Sequence, residues 1–591
     1  MVDKSIAYME NKDAGDWQNI IMFMGDDGNN NLHMRDVYEV SQGIESAYPG
    51  YYCKRVMWDA FNMETSATGN SYPEITNILK KQQAEGALIM DYGGHGSEIS
   101  ISHERVLKLA DFQNFNNTHM PLWITASCDV MPFDGPVTNI GEECVLNSHG
   151  GSMAFFGTTR TVWTNYNKVI NRAFLRYVLD STNGKPNTLG EAQRLAKNYL
   201  IASGEDRTPN KLQYSLLGDP ALALNRPMAR VVIDSINGRK ADEGTTATLA
   251  AGSVARVAGH VETQGAFDES FNGRVSAVVR DTKETVVCHV NNTQEANAPF
   301  TFEDRQNVLF NGSDSVRNGK FSFTFAVPMD INYGEGTGLM NLYALKNDYS
   351  SAVHGAFERF QVNGSASTAN DSIGPSIYCY LNSPSFSNGG KVNSTPFFVA
   401  QVTDKDGVNA SGTGIGHDME LIIDDEMMRT YILNDNFTFD FGTYTSGQTF
   451  YNIPELSAGM HKLKFRAWDN LNNSSTAELS FEVVNGLEPT LFSVSCTDNP
   501  ATTTTTFILN HDRRGSMVDV ELEVFDMSGR LLWRHEESGV STDNTYTMQW
   551  NLTVDGGQHL QTGVYLYRAL IGSDGSQKAS KAKKLIIIGN N

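Results

Sequence analysis

ALIMDYGGHG (Ala87–Gly96) and MPLWITASCDV (Met120–Val130) decide how this chain is read. Each is a short apolar run closed by turn residues, with a reactive side chain at its end: His95 in the first, Cys128 in the second. Runs that are apolar throughout, rather than alternating, suit strands buried on both faces, as in a parallel sheet covered by helices. The stretch between them has room for one crossover helix and its loops. Adjacent parallel strands then present His95 and Cys128 side by side at one edge of the sheet, where open α/β sheets place their functional groups.

The neighbouring sequence extends this pattern. Further apolar runs lie at Ile20–Met24, Leu122–Thr125 and Met153–Phe156, and helical spacing is found over Ser71–Gln83, Gly141–Asn147, Tyr166–Leu179 and Leu189–Leu200. Beyond Leu224 the texture changes to short strand-like stretches, such as Thr248–Val257, Lys320–Val327, Glu420–Ile423 and His461–Trp468, separated by Gly, Asn, Asp and Ser. That texture predicts β-sandwich modules. The fold class expected is multidomain, a parallel α/β/α domain followed by immunoglobulin-like β-sandwich modules. Boundaries are placed near Pro227, in Gly364–Gly374 and in Asn485–Pro489, dividing the chain into 1–228, 229–368, 369–486 and 487–591. The run Thr502–Thr506 reads as an exposed strand entrance.

Composition narrows the function. A chain of 591 residues exceeds what one core serves, and 40% hydrophobic residues supply several. The net charge of -22 argues against nucleic acid as a partner, since such binders carry a basic stripe. The cysteines at 53, 128, 144, 288, 379 and 496 stand singly, which indicates neither a zinc site nor a disulfide scaffold. No apolar run is long enough to span a bilayer. The segment after Met1 is polar and does not read as a signal peptide.

The chemistry rests on the pair. A free thiol is mostly protonated at neutral pH and needs a base beside it to act as a nucleophile. Alone, Cys128 reads as a small core hydrophobe and His95 as a turn histidine; together at paired strand ends they read as a nucleophile and its acid–base partner. Gly93, Gly94 and Gly96 allow close approach of a substrate backbone. The N–H groups of Gly96 and Cys128 are the candidate oxyanion donors. His103, His119 and His149 lack ligand-like spacing and read as surface or turn residues, and Cys144 reads as core. DKDG at Asp404–Gly407 reads as a β-turn that can also hold a structural calcium, and no other cofactor is required.

The apolar-block–HG and apolar-block–Cys pattern resembles clan CD cysteine peptidases. Within that clan it is most similar to the gingipain family: YGGHGSE (Tyr92–Glu98), ITASCDV (Ile124–Val130), MAFFGTTRTVW (Met153–Trp163) and LLGDPAL (Leu216–Leu222) occur in family order. The resemblance implies that an acidic residue after an early strand orients the histidine. In MGDDG (Met24–Gly28) this is Asp26 by position, with Asp27 as the alternative and a solvated turn or calcium loop as the structural reading. It implies that Trp163 lines the primary specificity pocket. The aspartate of arginine-specific relatives has no clear counterpart; Asn31 is the nearest candidate for the pocket floor, which points to a small or uncharged P1 residue.

The C-terminal stretch, with VFDMSGRLLW (Val524–Trp533) and TGVYLYRA (Thr562–Ala569), resembles FlgD-like immunoglobulin domains and the C-terminal domains of type IX secretion in Bacteroidetes. The whole arrangement is most similar to type IX secretion sortases. That resemblance implies a place at the extracellular face of the outer membrane and cargo proteins with type IX C-terminal domains as substrates. It also implies a PorV-like anchor among outer-membrane secretion components, and lipopolysaccharide as a possible acyl acceptor. In that family an N-terminal region and signal peptide precede the segment seen here. A general secreted protease and a non-catalytic outer-membrane scaffold are the rival readings. An acyl-thioester common to hydrolysis and transpeptidation leaves the acceptor open.

Overall fold

A computed structural model of the chain describes residues 1–67, 69–242, 244–329, 331, 336–366, 371–411, 416–541 and 543–588. The first domain is built on six strands: β1 (Ile20–Gly25), β2 (Tyr52–Met57), β3 (Ile89–Gly93), β4 (Leu122–Ala126), β5 (Ala154–Thr158) and β6 (Tyr214–Gly218). Their spatial order is β6-β5-β4-β3-β1-β2, parallel throughout except where β5 meets β6. The apolar runs form strands because both faces are covered. Ile21, Phe23, Ile89, Ile124 and Phe156 pack on one side and Met22, Met24, Met90, Trp123 and Phe155 on the other.

The covering helices are α1 (Val2–Glu10), α2 (Gly28–Ala47), α3 (Pro73–Glu85), α4 (Leu109–Gln113), α5 (Ile140–Leu146), α6 (Thr164–Val178) and α7 (Leu189–Ser203). On α6, Ile170, Phe174 and Val178 recur every four residues and face the sheet, as amphipathic packing requires. The Asn139 side chain caps α5 by accepting from the Glu142 N–H at 3.0 Å, so the helix begins abruptly after the loop that follows β4.

Beyond Ala229 the regular elements among the described residues are strands, apart from short turns of 3₁₀ helix. The segment expected as a sandwich over 229–368 closes on itself. Strand Ala229–Ile236 pairs with Val254–Thr263 on one side and with Ala352–Phe357 on the other, so the ring of ladders has no open edge there. A register shift between Ile233 and Ser235 lets that strand serve both neighbours, as a bulge bends and twists a strand. The next segment places sheets of four and six strands face to face, and the last segment sheets of three and five. Gly459–Asp469 alternates buried and half-buried side chains along most of its length.

The expected boundary at 228/229 lies between β6 and strand Ala229–Ile236, and that at 486/487 follows strand Ser474–Val483. The boundary at 368/369 lies outside the described residues. The two middle segments share one apolar cluster, with Phe310 stacked on Phe439 at 5.1 Å.

The β segments also pack on the first domain. A hairpin of β7 (Glu284–Val287) and β8 (Thr301–Asp304) lays Cys288, Phe300 and Phe302 into the core of the α/β domain. Lys81 hydrogen-bonds Asn436 in the third segment. Asn116 donates to the Val540 carbonyl at 2.9 Å, and His149 faces Glu537 at 3.8 Å, so the last segment returns to the domain that begins the chain.

Candidate active site

Parallel register puts Gly25, Gly93 and Ala126 in one row at the carboxyl ends of β1, β3 and β4. The residues just beyond this row make the site: Asp26, then Gly94–Gly96, then Ser127–Asp129. Gly94 continues the row, its N–H donating to the Ala126 carbonyl at 3.3 Å. Glycine is needed at two of these positions by close approach. A Cβ on Gly94 would lie 2.6 Å from Asp26 Cγ, and one on Gly96 would lie 2.8 Å from Val130 Cγ1 and 3.3 Å from the Cys128 carbonyl oxygen. Gly96 and the loop carrying Cys128 are therefore in van der Waals contact.

Cys128 is half-buried, and its thiol lies 3.5 Å from both the N–H and the carbonyl oxygen of Val162. Burial pushes the thiol up from its ordinary pKa, and Asp129 adds to this, against the hydrogen bond from Val162. The Cys128 N–H has no hydrogen-bond partner among the described residues. Asp129 adopts φ 48°, a left-handed conformation rare outside glycine and asparagine, and is held by the Thr161 hydroxyl at 2.7 Å. Strain thus sits next to Cys128 and is maintained from the loop after β5.

His95 is half-buried over Gly28, whose absent side chain makes room for the ring. The imidazole stacks on His103 with centroids 4.0 Å apart and receives the edge of His33 at 4.8 Å. Its ring nitrogens have no hydrogen-bond partner among the described residues; no hydrogen bond joins His95 to Cys128. Burial lowers the His95 pKa, and His33 and His103 lower it further, against the raising influence of Asp26 and Glu295. Thiol and imidazole are therefore both biased toward their neutral forms.

Asp26 reaches His95 through the backbone and not through the ring. Its carboxylate accepts the His95 N–H at 2.6 Å, the Tyr92 hydroxyl at 3.0 Å and the Gly28 N–H at 3.1 Å, and pairs with His33 Nδ1. The expected orienting of His95 by Asp26 is corrected in its route: among the described residues Asp26 makes no hydrogen bond to the His95 ring, which stacks on His103, and the ring that Asp26 holds is that of His33. Burial raises the Asp26 carboxyl, but His33 together with His95 outweighs it and holds it below the usual range. Asp27 points the other way, to the Tyr72 hydroxyl at 2.8 Å, and burial pushes it up to about 6.

A cleft opens beside this row between α2 and α6, lined by His33, Asp36, Gly94, Ala126, Asn167 and Lys168. Asp36, its lining carboxylate, is paired with Lys168 at 2.9 Å. Beneath it, Asp91 is fully buried and accepts from Asn171 at 3.0 and 3.1 Å; burial pushes its carboxyl up to about 7. Trp163 is exposed at the N-terminus of α6, next to Val162, with its N–H bonded to Asn210 at 2.8 Å. Asn31 does not line the cleft. It is buried, and its amide donates to the Ala298 carbonyl at 2.7 Å.

Sequence does not mark His33 as part of the site, and His103, read from sequence as a surface or turn residue, stacks on His95. His33 lies in a helix whose first residues do not look helical, and His103 had no signal beyond its nearness to His95. Among the described residues no group of three or more side chains is arranged to hold a metal; Asp404 is buried and its carboxylate accepts from the Asp406 N–H. No described helix is long and apolar enough to cross a membrane.

Residues 1–225 match the model of peptidase family C25. No curated protein matches the chain. Over 97% of its length the chain is similar to dimeric latent PorU from Porphyromonas gingivalis, at 23% identity and a TM-score of 0.32, covering 64% of that chain. It therefore spans less than two thirds of that structure. Over 61% of its length it is similar to the Arg-specific cysteine proteinase gingipain R, at 13% identity and a TM-score of 0.31, covering 71% of that chain. The pro- and mature domains of Porphyromonas gingivalis RgpB match over the same share, at 13% identity and a TM-score of 0.32, covering 73%.

Proposed function

We propose that this protein, whose residues 1–225 match the model of peptidase family C25, is a cysteine endopeptidase with Cys128 as nucleophile and His95 as its acid–base partner. The observation that carries the reading is the contact of Gly96 with the Cys128 loop at the in-register ends of β3 and β4. The Cys128 sulfur attacks the scissile carbonyl and the C–S bond forms, with the thiol proton passing to His95. The oxyanion is received by the Cys128 and Gly96 N–H groups. The C–N bond then breaks as His95 returns that proton to the leaving amine. Both groups are biased neutral at rest, so substrate must bring imidazole and thiol together before charge separates; catalytic hydrogen bonds commonly tighten only in the substrate complex.

The residue preceding the scissile bond enters the cleft between α2 and α6, whose lining includes Thr164, the residue after Trp163. The pairing of Asp36 with Lys168 leaves no unpaired carboxylate in the lining, which supports an uncharged P1 residue.

Within this activity, the reading taken is that of a type IX secretion sortase at the cell surface. It removes the C-terminal signal domain of cargo proteins and passes the acyl group to water or to an amine of lipopolysaccharide, alongside a PorV-like anchor. Its support is the sequence resemblance of the four-part arrangement, above all Val524–Trp533 and Thr562–Ala569. The test is a cargo protein ending in a type IX signal domain, incubated with the chain and with Cys128→Ala, and the product masses recorded. One defined junction, lost in the variant, supports the sortase; cleavage at many sites of denatured protein supports a general protease. An untouched cargo with uniformly slow cysteine labelling supports the scaffold reading.

A further inference from the structure

The tip of the β7–β8 hairpin, residues 288–300, reaches from the barrel-like segment to the site. There the Glu295 carboxylate meets two separate parts of the α/β domain. Oε2 accepts the Asn29 N–H at 3.3 Å, and Oε1 faces His103 Nδ1 at 3.8 Å. The Glu295 carbonyl accepts the Asn30 N–H at 2.8 Å and the Ala298 carbonyl accepts the Asn31 amide. Further along the tip, the Asn291 N–H donates to Asp59 at 3.2 Å and its amide to the Phe61 carbonyl at 2.8 Å.

Both contacts of Glu295 lead to His95. On one route, His103 is stacked on the His95 ring. On the other, the Asn29 amide meets His33 Nε2 at 3.1 Å, His33 pairs with Asp26, and Asp26 holds the His95 N–H. This second route enters through the first of three consecutive left-handed residues, Asn29, Asn30 and Asn31, with φ of 56°, 57° and 63°. Left-handed conformation costs an L-residue about 1–2 kcal/mol, and asparagine tolerates it best. Three in a row persist only when surrounding structure holds them. Here that structure is the hairpin tip, which bonds all three.

We propose that the hairpin is part of the catalytic centre and that Glu295 is a positioning residue, fixing His95 from the stacked face and through the Asn29–His33–Asp26 relay. The proposal rests on the assignment of His95 as the acid–base partner. The charged and titratable groups facing His95 are Asp26 after β1, His33 on α2, His103 on the loop after β3, and Glu295 on the hairpin. Glu295 raises the affinity of both His33 and His95 for a proton.

The test compares the full chain with Glu295→Gln, which keeps shape and backbone acceptor and removes the charge. Histidine C2 hydrogen–deuterium exchange read by mass spectrometry across pH reports the midpoint of each imidazole, whether or not the protein turns over. In Glu295→Gln the His95 midpoint is expected to fall by about half a pH unit, with kcat for Cys128-dependent cleavage down about two- to fivefold and KM unchanged. Adding Glu295→Gln to His103→Gln, which removes the stacked route, is expected to move the His95 midpoint by less than it does alone. A His95 midpoint identical in the chain and in Glu295→Gln overturns the proposal. A shifted midpoint in a protein that cleaves nothing upholds the placement of Glu295 and sinks the peptidase reading instead.

Discussion

Asp26 is the residue on which most of the site converges, because one buried carboxylate accepts from His95, Tyr92 and Gly28 and pairs with His33. Its folded pKa lies below its unfolded value, so its contribution is present above about pH 4 and is lost as pH falls through the folded value. His33 is shifted the opposite way, with burial opposing and Asp26 outweighing it. Its contribution is complete below its unfolded value and is lost as pH rises through the raised one. The pair is therefore worth most in mildly acid to neutral solution. Asp26→Ala leaves His33 uncompensated and is expected to cost about 3–5 kcal/mol at pH 7 in denaturant unfolding of the α/β domain. Asp91 behaves differently. Its carboxyl, raised to about 7 by burial, favours the folded state below about pH 4 and loses that advantage as pH rises through 7. Asp91→Asn is expected to match the parent chain at pH 4 and to exceed its stability by roughly 3–5 kcal/mol at pH 8. Equal pH dependence in the two proteins would show that Asp91 is not protonated in the fold.

At the scale of elements, the strand ends do the work. Gly96→Ala puts a methyl against Val130 and the Cys128 carbonyl, displacing the Cys128 loop from the position where its N–H acts in the proposed mechanism. Loss of an oxyanion donor lowers kcat about a hundredfold or more, and that fall is expected in Gly96→Ala with KM little changed. Asn139→Ala removes the cap of α5, the helix that follows this loop. It is expected to lower stability by about 1 kcal/mol, read as a shift in denaturation midpoint. These elements were also the ones most legible from sequence. Strands β1, β3, β4 and β5 are apolar on both faces, and no other environment suits Ile-Ile-Met-Phe-Met or Leu-Trp-Ile-Thr. Helix α2, the longest in the domain, went unread for two reasons. It opens with three left-handed asparagines, and its buried face includes His33, Asp36 and Ser41 among the apolar residues. Local pattern carries no information about partners that arrive from 266 residues away, as Glu295 does for Asn29.

For the whole molecule, the β segments are not appendages. Phe300 and Phe302 belong to the core of the α/β domain, and the hairpin tip holds the asparagine turn. A chain cut after residue 228 is expected to expose that apolar face and relax the turn. Faster amide exchange over residues 28–34 than in the full chain would register it, and unchanged exchange there would mean that the turn stands without the hairpin. The sequence reading found the α/β and β division but not this mutual dependence, because composition marks where a module begins and says nothing of what it leans on.

The return of the last segment to the first, through Asn116 to Val540 and His149 to Glu537, has a mechanical meaning. Four bodies joined end to end by linkers would transmit a pull one joint at a time, each free to swing. Here the chain closes into a loop, and tension applied between its first and last parts runs through docked faces in parallel with the linkers. Asn116 lies between α4 and β4 and His149 between α5 and β5, so a tug on the C-terminal segment is passed directly to the connections that flank β4.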